Sequence, residues 1–211
     1  INFIEKNYPD FIPHLSSTKS PQQMLGAVVK SYWAKNVAKV DPKDVCVVSV
    51  MPCTAKKFER SRPEMEVDGV RDVDYVLTTR ELAKLFHQNN IDLVKLPATQ
   101  FDQPLGNSTG AAVIFGATGG VMEAALRTAY EVVTGREVPF GRLNITPVRG
   151  MEGIREATIK ITDPKPEFSY LNGVDVKVAV VHSIGHIRTF MDRLRDMKEK
   201  KQPLPWHFVE F

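Results

Sequence analysis

Apolar positions along the chain follow two alternating rhythms, one of period near 3.6 and one of period 2, and their succession predicts the elements. The opening "INFIEKNYPDF" carries helical spacing from its first residue. At 20–23, "SPQQ" predicts a helix start, with Ser20 as N-cap, Pro21 in the first turn and Gln23 closing a capping box. Met24, Val28, Val29 and Tyr32 then follow at helical intervals. The valine-rich run Val45–Val50 predicts a strand covered on both faces. "VDYVLTTRELAKLFH" predicts a strand, then a helix start with Thr78 three before Glu81, then Leu82, Leu85 and Phe86 on one face. In "AAVIFGATGGVMEAALRTAYEVVTG" the pattern predicts a strand over 111–116, a glycine turn over 116–120 and a helix over 121–134 closed by Gly135. "IREATIKI" alternates as a half-exposed strand, antiparallel to its neighbours. "VKVAVVHSIGHIRTFMDRLRDMKEK" predicts a further strand, short turn and long helix, and "PWHFVEF" alternates as a last strand. The stretch 163–175 between two strands reads as an excursion or hairpin.

Strand–turn–helix units in series predict an α/β fold with largely parallel, mixed β-sheet flanked by helices. Ligands in such sheets bind beyond the C-terminal strand ends. Cys53 and the 116–120 turn both sit at such ends.

Composition narrows the function classes. The 211 residues are 43% apolar and 25% charged, which suits a packed core and excludes disorder. A net charge of +3, from 28 basic and 25 acidic residues, is too even for a nucleic-acid footprint. No apolar run approaches the roughly 20 residues of a membrane helix, and the opening residues do not read as a signal peptide. The only two cysteines, Cys46 and Cys53, make no disulfide framework and point to a reducing compartment, the cytoplasm, with the periplasm as the alternative. Both ends of the chain read as cut from something longer.

The chemistry concentrates in "MPCTAKKFE", 51–59. Its plain reading is a turn with solvated lysines and an incidental thiol. Its sharper reading makes Cys53 a metal ligand at a strand end, with Lys56 one turn on, since a nearby cation favours the thiolate. Glu59, at i+3 from Lys56, would fix the ammonium on a helix. Pro52 stiffens the entry to the loop. Cys46, flanked by Val45 and Val47, reads as a buried core thiol. "FGATGG" opens a helix and invites a phosphate-binding reading, but it lacks the Gly-Lys-Ser/Thr ending of a phosphate loop. His182 and His186 have the spacing of a zinc pair, yet one ends a strand and the other follows Gly185, so they do not share a helical face. His14, His87 and His207 stand alone. The basic stretch 193–201 reads as the solvated end of a helix, or as a docking patch for an acidic electron carrier.

"MPCTAKKFE" resembles the second signature of the iron-only (FeFe) hydrogenases, Met-Pro-Cys-x-x-Lys-x-x-Glu. "LSSTKSPQQMLGAVVKSYW", "RPEMEVDGVRDVDYVLTTRELAKLF" and "STGAAVIFGATGGVMEAALRTAYE" are also similar to that family's catalytic domain, so the resemblance runs the length of the chain. It implies that residues 1–211 are one part of that domain, with no independent second domain, and that the fold has two lobes of mostly parallel, mixed β-sheet with an active-site cleft between them. It also implies a parent enzyme that interconverts protons and electrons with dihydrogen at a 4Fe–4S cluster linked to a diiron unit carrying CO and cyanide. Cys53 would be a cluster ligand and Lys56 a donor to cyanide. Met51 would pack over the diiron unit, and Glu59 would orient Lys56. Ser16 matches a serine of the proton relay, and Gln22 a glutamine near the diiron site. Phe115 and Gly116 would bring backbone against that unit.

The family's other two cysteine signatures, expected before Ile1 and after Phe211, are not in this sequence. The chain alone is therefore expected to bind no cluster, to be inactive, and to self-associate through uncovered apolar surface. The parent is expected to use an electron carrier, ferredoxin or an NAD(P)-linked subunit, and neither nucleic acid nor membrane. A non-catalytic sensory or iron–sulfur assembly relative, a bare scaffold and a nucleotide-binding domain are the alternatives.

Overall fold

The computed structural model describes residues 1–141, 146–148 and 153–211. The chain folds into two compact units, Ile1–Asn107 and Ser108–Phe211, of mixed α/β composition.

The first unit opens with α1 (Asn2–Asn7) and a 3-10 turn, Pro9–His14, which bury Ile4, Tyr8 and Phe11. Helix α2 (Pro21–Val28) starts at Ser20 with Pro21 in its first turn, as the sequence predicts. The expected capping box does not form. The Ser20 hydroxyl and both polar atoms of Gln23 are buried without a hydrogen-bond partner among the described residues. The chain continues as a π-wound stretch, Val29–Ala38, ending at Lys39 in the left-handed region. The buried stripe also departs from expectation. Gln22, Gln23, Gly26, Lys30 and Ala34 face inward, while Val28 and Tyr32 are exposed. The cause is close packing: a Cβ on Gly26 would lie 2.3 Å from the Asp72 carbonyl oxygen, so only this face of the helix admits the neighbouring backbone. Lys30 is tolerated inside because Asp74 pairs with it at 2.6 Å.

Strand β1 (Val48–Val50) is shorter than the predicted run. It is not covered on both faces: Val48 is 50% and Val50 41% exposed. Cys46 is likewise exposed rather than a core thiol. Among the described residues β1 has one partner, the parallel strand β4 (Tyr75–Leu77), paired Val48 to Tyr75 and Val50 to Leu77. Between them lie α3 (Ala55–Arg60) and a small hairpin of β2 (Glu66–Val67) and β3 (Val70–Arg71). Helix α4 (Thr79–Gln88) begins with the capping box that the sequence predicts at Thr78 and Glu81, although none of its residues is fully buried.

The second unit corrects one assignment. Residues predicted as a strand at 111–116 form α5 (Ala111–Ile114), with Ile114 and Phe115 amides donating back to Gly110 and Ala111. A short apolar run does not distinguish strand from helix by periodicity, and the alanines favour helix. Helix α6 (Gly120–Thr134) follows, closed by Gly135 as predicted. A four-stranded sheet runs in the order β5 (Thr146–Pro147), β6 (Ile154–Lys160), β7 (Asp175–Val181), β8 (Phe208–Glu210). Strand β6 is antiparallel to both neighbours, and β7 is parallel to β8. Helix α7 (Ile184–Glu199) packs on β7.

The core here follows from alternation. Ala157, Ile159, Val178 and Val180 from the two central strands pack with Met122 and Tyr130 of α6. Ala179 and Val181 point to the opposite face of β7 and are also buried. Phe190 of α7 is fully buried and meets Trp206 in a tilted ring contact, 5.0 Å between centroids. The stretch 163–175 is the β6–β7 connection, built around a 3-10 segment, Pro166–Leu171.

Candidate functional site

At the end of β1 the Met51 amide still donates to the Leu77 carbonyl at 2.8 Å, which keeps the chain in sheet register up to the motif. Pro52 and Cys53 then project into solvent, and Cys53 is a free, exposed thiol. Its carbonyl accepts the Lys56 amide as the chain turns into α3. The helix places Lys56 and Glu59 one turn apart, and their side chains meet at 3.3 Å, as the spacing predicts.

Two further side chains join this pair. Gln22 reaches from α2, only 6% exposed, and donates its amide nitrogen to Glu59 Oε2 at 3.1 Å. Its amide oxygen accepts the Ser49 hydroxyl at 2.8 Å. One continuous network, Ser49–Gln22–Glu59–Lys56, thus links β1, α2 and α3. The sequence reading joins Glu59 to Lys56 and names Gln22 separately; it does not give the bond from Gln22 to Glu59, and it misses Ser49 altogether.

The supports around this network are polar. Asp74 Oδ2 accepts both the Val47 amide at 2.7 Å and the buried Lys30 ammonium at 2.6 Å, which fixes the start of β1 against the helix. Lys19 pairs with buried Asp72. Arg60 donates to the Asp74 carbonyl at 2.6 Å. On the outer side Lys57 grips both oxygens of Glu81 at 2.6 and 2.7 Å. The hydrogen bond from Lys57, helped by the Thr78 amide and hydroxyl, holds the Glu81 carboxyl down at about 2, against an ordinary value of 4.5.

Not every predicted site residue joins this group. Ser16 is exposed and accepts the Thr18 amide at 3.2 Å. Phe115 and Gly116 belong to the second unit, at the turn from α5 to α6. That turn answers the phosphate reading. Glu210 of β8 places Oε1 on the Gly119 amide at 2.9 Å and Oε2 on the Met122 amide at 2.8 Å. A carboxylate of the chain itself therefore occupies the anion-binding start of α6. The turn is also tight. Gly119 has φ +83°, and a Cβ on Gly120 would lie 1.8 Å from the Ile114 carbonyl oxygen.

His186 lies on α7, and its Nδ1 is 2.8 Å from the His182 carbonyl and 3.0 Å from the Ser183 hydroxyl. The two imidazoles do not form a ligand pair. Among the described residues no three His, Cys, Asp or Glu side chains gather to hold a metal ion. No described helix is long and apolar enough to cross a membrane. At the end of β1 the donor set is one exposed thiol, three residues before a lysine anchored by Glu59. That fits one corner of an iron–sulfur cluster and does not complete it.

Comparison with known proteins agrees with this chemistry. Residues 1–211 match the family profile described as iron only hydrogenase large subunit, C-terminal domain. The chain is 47% identical over 209 residues to the periplasmic Fe hydrogenase large subunit of Nitratidesulfovibrio vulgaris, covering 99% of this chain and 45% of that protein. A variant of the FeFe-hydrogenase HydA1 from Chlamydomonas reinhardtii superposes with a TM-score of 0.80 at 40% identity, over 99% of this chain and 56% of that one. The cytosolic Fe-S cluster assembly factor narfl of Xenopus tropicalis is 29% identical over 216 residues, covering all of this chain and 42% of that protein. The chain spans less than half the length of both curated relatives. On the full-length profile match, and on the Cys53–Lys56–Glu59 motif at the end of β1, the chain belongs to the family of iron-only hydrogenase large subunits, C-terminal domain.

Proposed function

We propose that the chain is part of the catalytic domain of an iron-only hydrogenase that reversibly interconverts protons and electrons with dihydrogen. The observation that carries the reading is the end of β1, where an exposed thiol stands three residues before a lysine whose ammonium pairs with Glu59, itself held by Gln22. Cys53 would give one thiolate to the 4Fe–4S part of the centre. When bound, that centre supplies the electron storage and the hydrogen chemistry. The protein's part is to orient, donate and exclude water. An ammonium has three donors, and the pair with Glu59 uses one, so Lys56 keeps donors for an anionic ligand such as cyanide. Glu59 holds that ammonium and Gln22 holds Glu59, as outer partners orient inner groups at metal sites. Met51 and Pro52 supply apolar cover at the loop entry. Phe115 and Gly116 would bring backbone against the diiron part of the centre. Ser16 would serve in the proton path, and an electron carrier would dock on the parent.

The test is dye-linked hydrogen oxidation and iron content of the full-length protein, wild type against Cys53→Ala. The variant is expected to lose both hydrogen turnover and cluster iron. Wild-type turnover in Cys53→Ala would overturn the reading. The similarity to narfl favours one second reading, an iron–sulfur assembly protein of the same fold. Full-length protein that holds iron and shows no hydrogen turnover would establish that reading instead. By itself the 211-residue chain offers one thiolate at this place, so after anaerobic reconstitution we expect far fewer than about four irons per chain.

A further inference from the structure

The polarity of the Ser49–Gln22–Glu59–Lys56 network is fixed by chemistry. An ionised carboxylate accepts only, and an ammonium donates only. Glu59 therefore cannot face the Gln22 amide oxygen without two acceptors meeting. It takes the amide nitrogen, at 3.1 Å. The amide oxygen is then turned to Ser49, whose hydroxyl must give its single proton there, at 2.8 Å. Gln22 is buried, so no bulk water replaces this donor cheaply if it is lost. Ser49 itself is held on β1 by pairing with Val76 of β4, which fixes where its hydroxyl points.

We propose that Ser49 is a positioning residue: its hydroxyl sets the orientation of the Gln22 amide and, through it, the Glu59 carboxylate that anchors Lys56. Its bearing on activity rests on the hydrogenase reading above; its geometry does not. The sequence hides it, because a lone serine inside a valine-rich run carries no sign of a partner that lies 27 residues away.

The experiment is nuclear magnetic resonance of the 211-residue chain, reading the Gln22 side-chain amide protons in Ser49→Ala and Ser49→Thr. Alanine removes the hydroxyl, and threonine keeps it with a strand-compatible shape. The expected result is a shift of the Gln22 Nε2 resonances and about tenfold faster solvent exchange in Ser49→Ala, the effect of losing one buried hydrogen bond. Ser49→Thr should stay near wild type. A purely structural loss would not be confined to these resonances, nor rescued by the hydroxyl. Should Ser49→Ala fail to fold, Ser49→Cys, whose thiol is a much weaker donor, is read at the same resonances and should move them where Ser49→Thr does not. Unchanged Gln22 amide signals in folded Ser49→Ala would overturn the proposal, as would a threonine variant that behaves like alanine. Because the chain needs no iron for this measurement, its failure leaves the hydrogenase reading standing. Failure of Cys53→Ala to abolish turnover would likewise leave Ser49 as a structural positioner.

Discussion

Glu210→Ala is the most informative single substitution outside the motif, because it empties a helix start that the protein fills with its own carboxylate. Both oxygens are engaged, at 2.9 Å to Gly119 and 2.8 Å to Met122, across about ninety residues of chain. Hydrogen bonds to a charged group contribute roughly 1.5–3 kcal/mol each, and a carboxylate at a helix start adds about 0.3–1 kcal/mol from the dipole. The two bonds share one carboxylate, so their effects do not simply add. Removing the group should therefore destabilise the protein by about 2–4 kcal/mol. In thermal unfolding that is a loss of roughly 5–15 °C for a chain of this size. Glu210→Gln keeps one acceptor without the charge and should fall between. Urea denaturation of the three proteins gives the energies directly. A second readout isolates the mechanism. The vacated amides should take an anion, so phosphate or sulfate should restore part of the stability of Glu210→Ala while leaving wild type unmoved. A loss below about 0.5 kcal/mol, the size of an ordinary surface substitution, would refute the reasoning. So would anions that stabilise both proteins alike.

Two further perturbations test other features. Gln23 is fully buried with neither amide atom partnered among the described residues, so Gln23→Met should be neutral or stabilise by about 1–3 kcal/mol, and denaturation showing a clear loss would mean that an internal water or other partner satisfies it. The Glu81 carboxyl is held at about 2 against an ordinary 4.5, so its contribution to stability is fully present above 4.5 and is lost as pH falls toward 2. Lys57→Met removes the largest cause, and carbon-13 titration of Glu81 should then show the midpoint rising toward 4.5. An unmoved midpoint would contradict the assignment.

Local chemistry was the legible part of this sequence. The Thr78–Glu81 capping box, the Gly135 helix end, the alternation of β6 and the Lys56–Glu59 pair all depend on residues within four positions, and all are present. What depended on distant partners was not legible. The inward face of α2 is chosen by the approach of the Asp72 backbone to Gly26 and by the Lys30–Asp74 pair, forty-odd residues apart in sequence. The same holds for Gln22, which the family resemblance names without a partner and the fold buries against Glu59. The valine-rich run misled because hydrophobicity does not say how many strands will flank it. The α5 segment misled because four apolar residues carry no period. Within the candidate site, recognition of Cys53, Lys56 and Glu59 came from the motif, whereas Ser49 is visible only once β1 and α2 are side by side.

The exposed valines of β1 have a consequence for handling the chain. A two-stranded parallel pair leaves one unpaired backbone edge on each strand among the described residues. Isolated pairs of this kind are marginal in water, and an open apolar edge is a template for another chain to add to. Clumping that begins here would proceed by backbone pairing rather than by charge. Added salt would do little to prevent it, and one well-placed proline on the rim of β1 would do much.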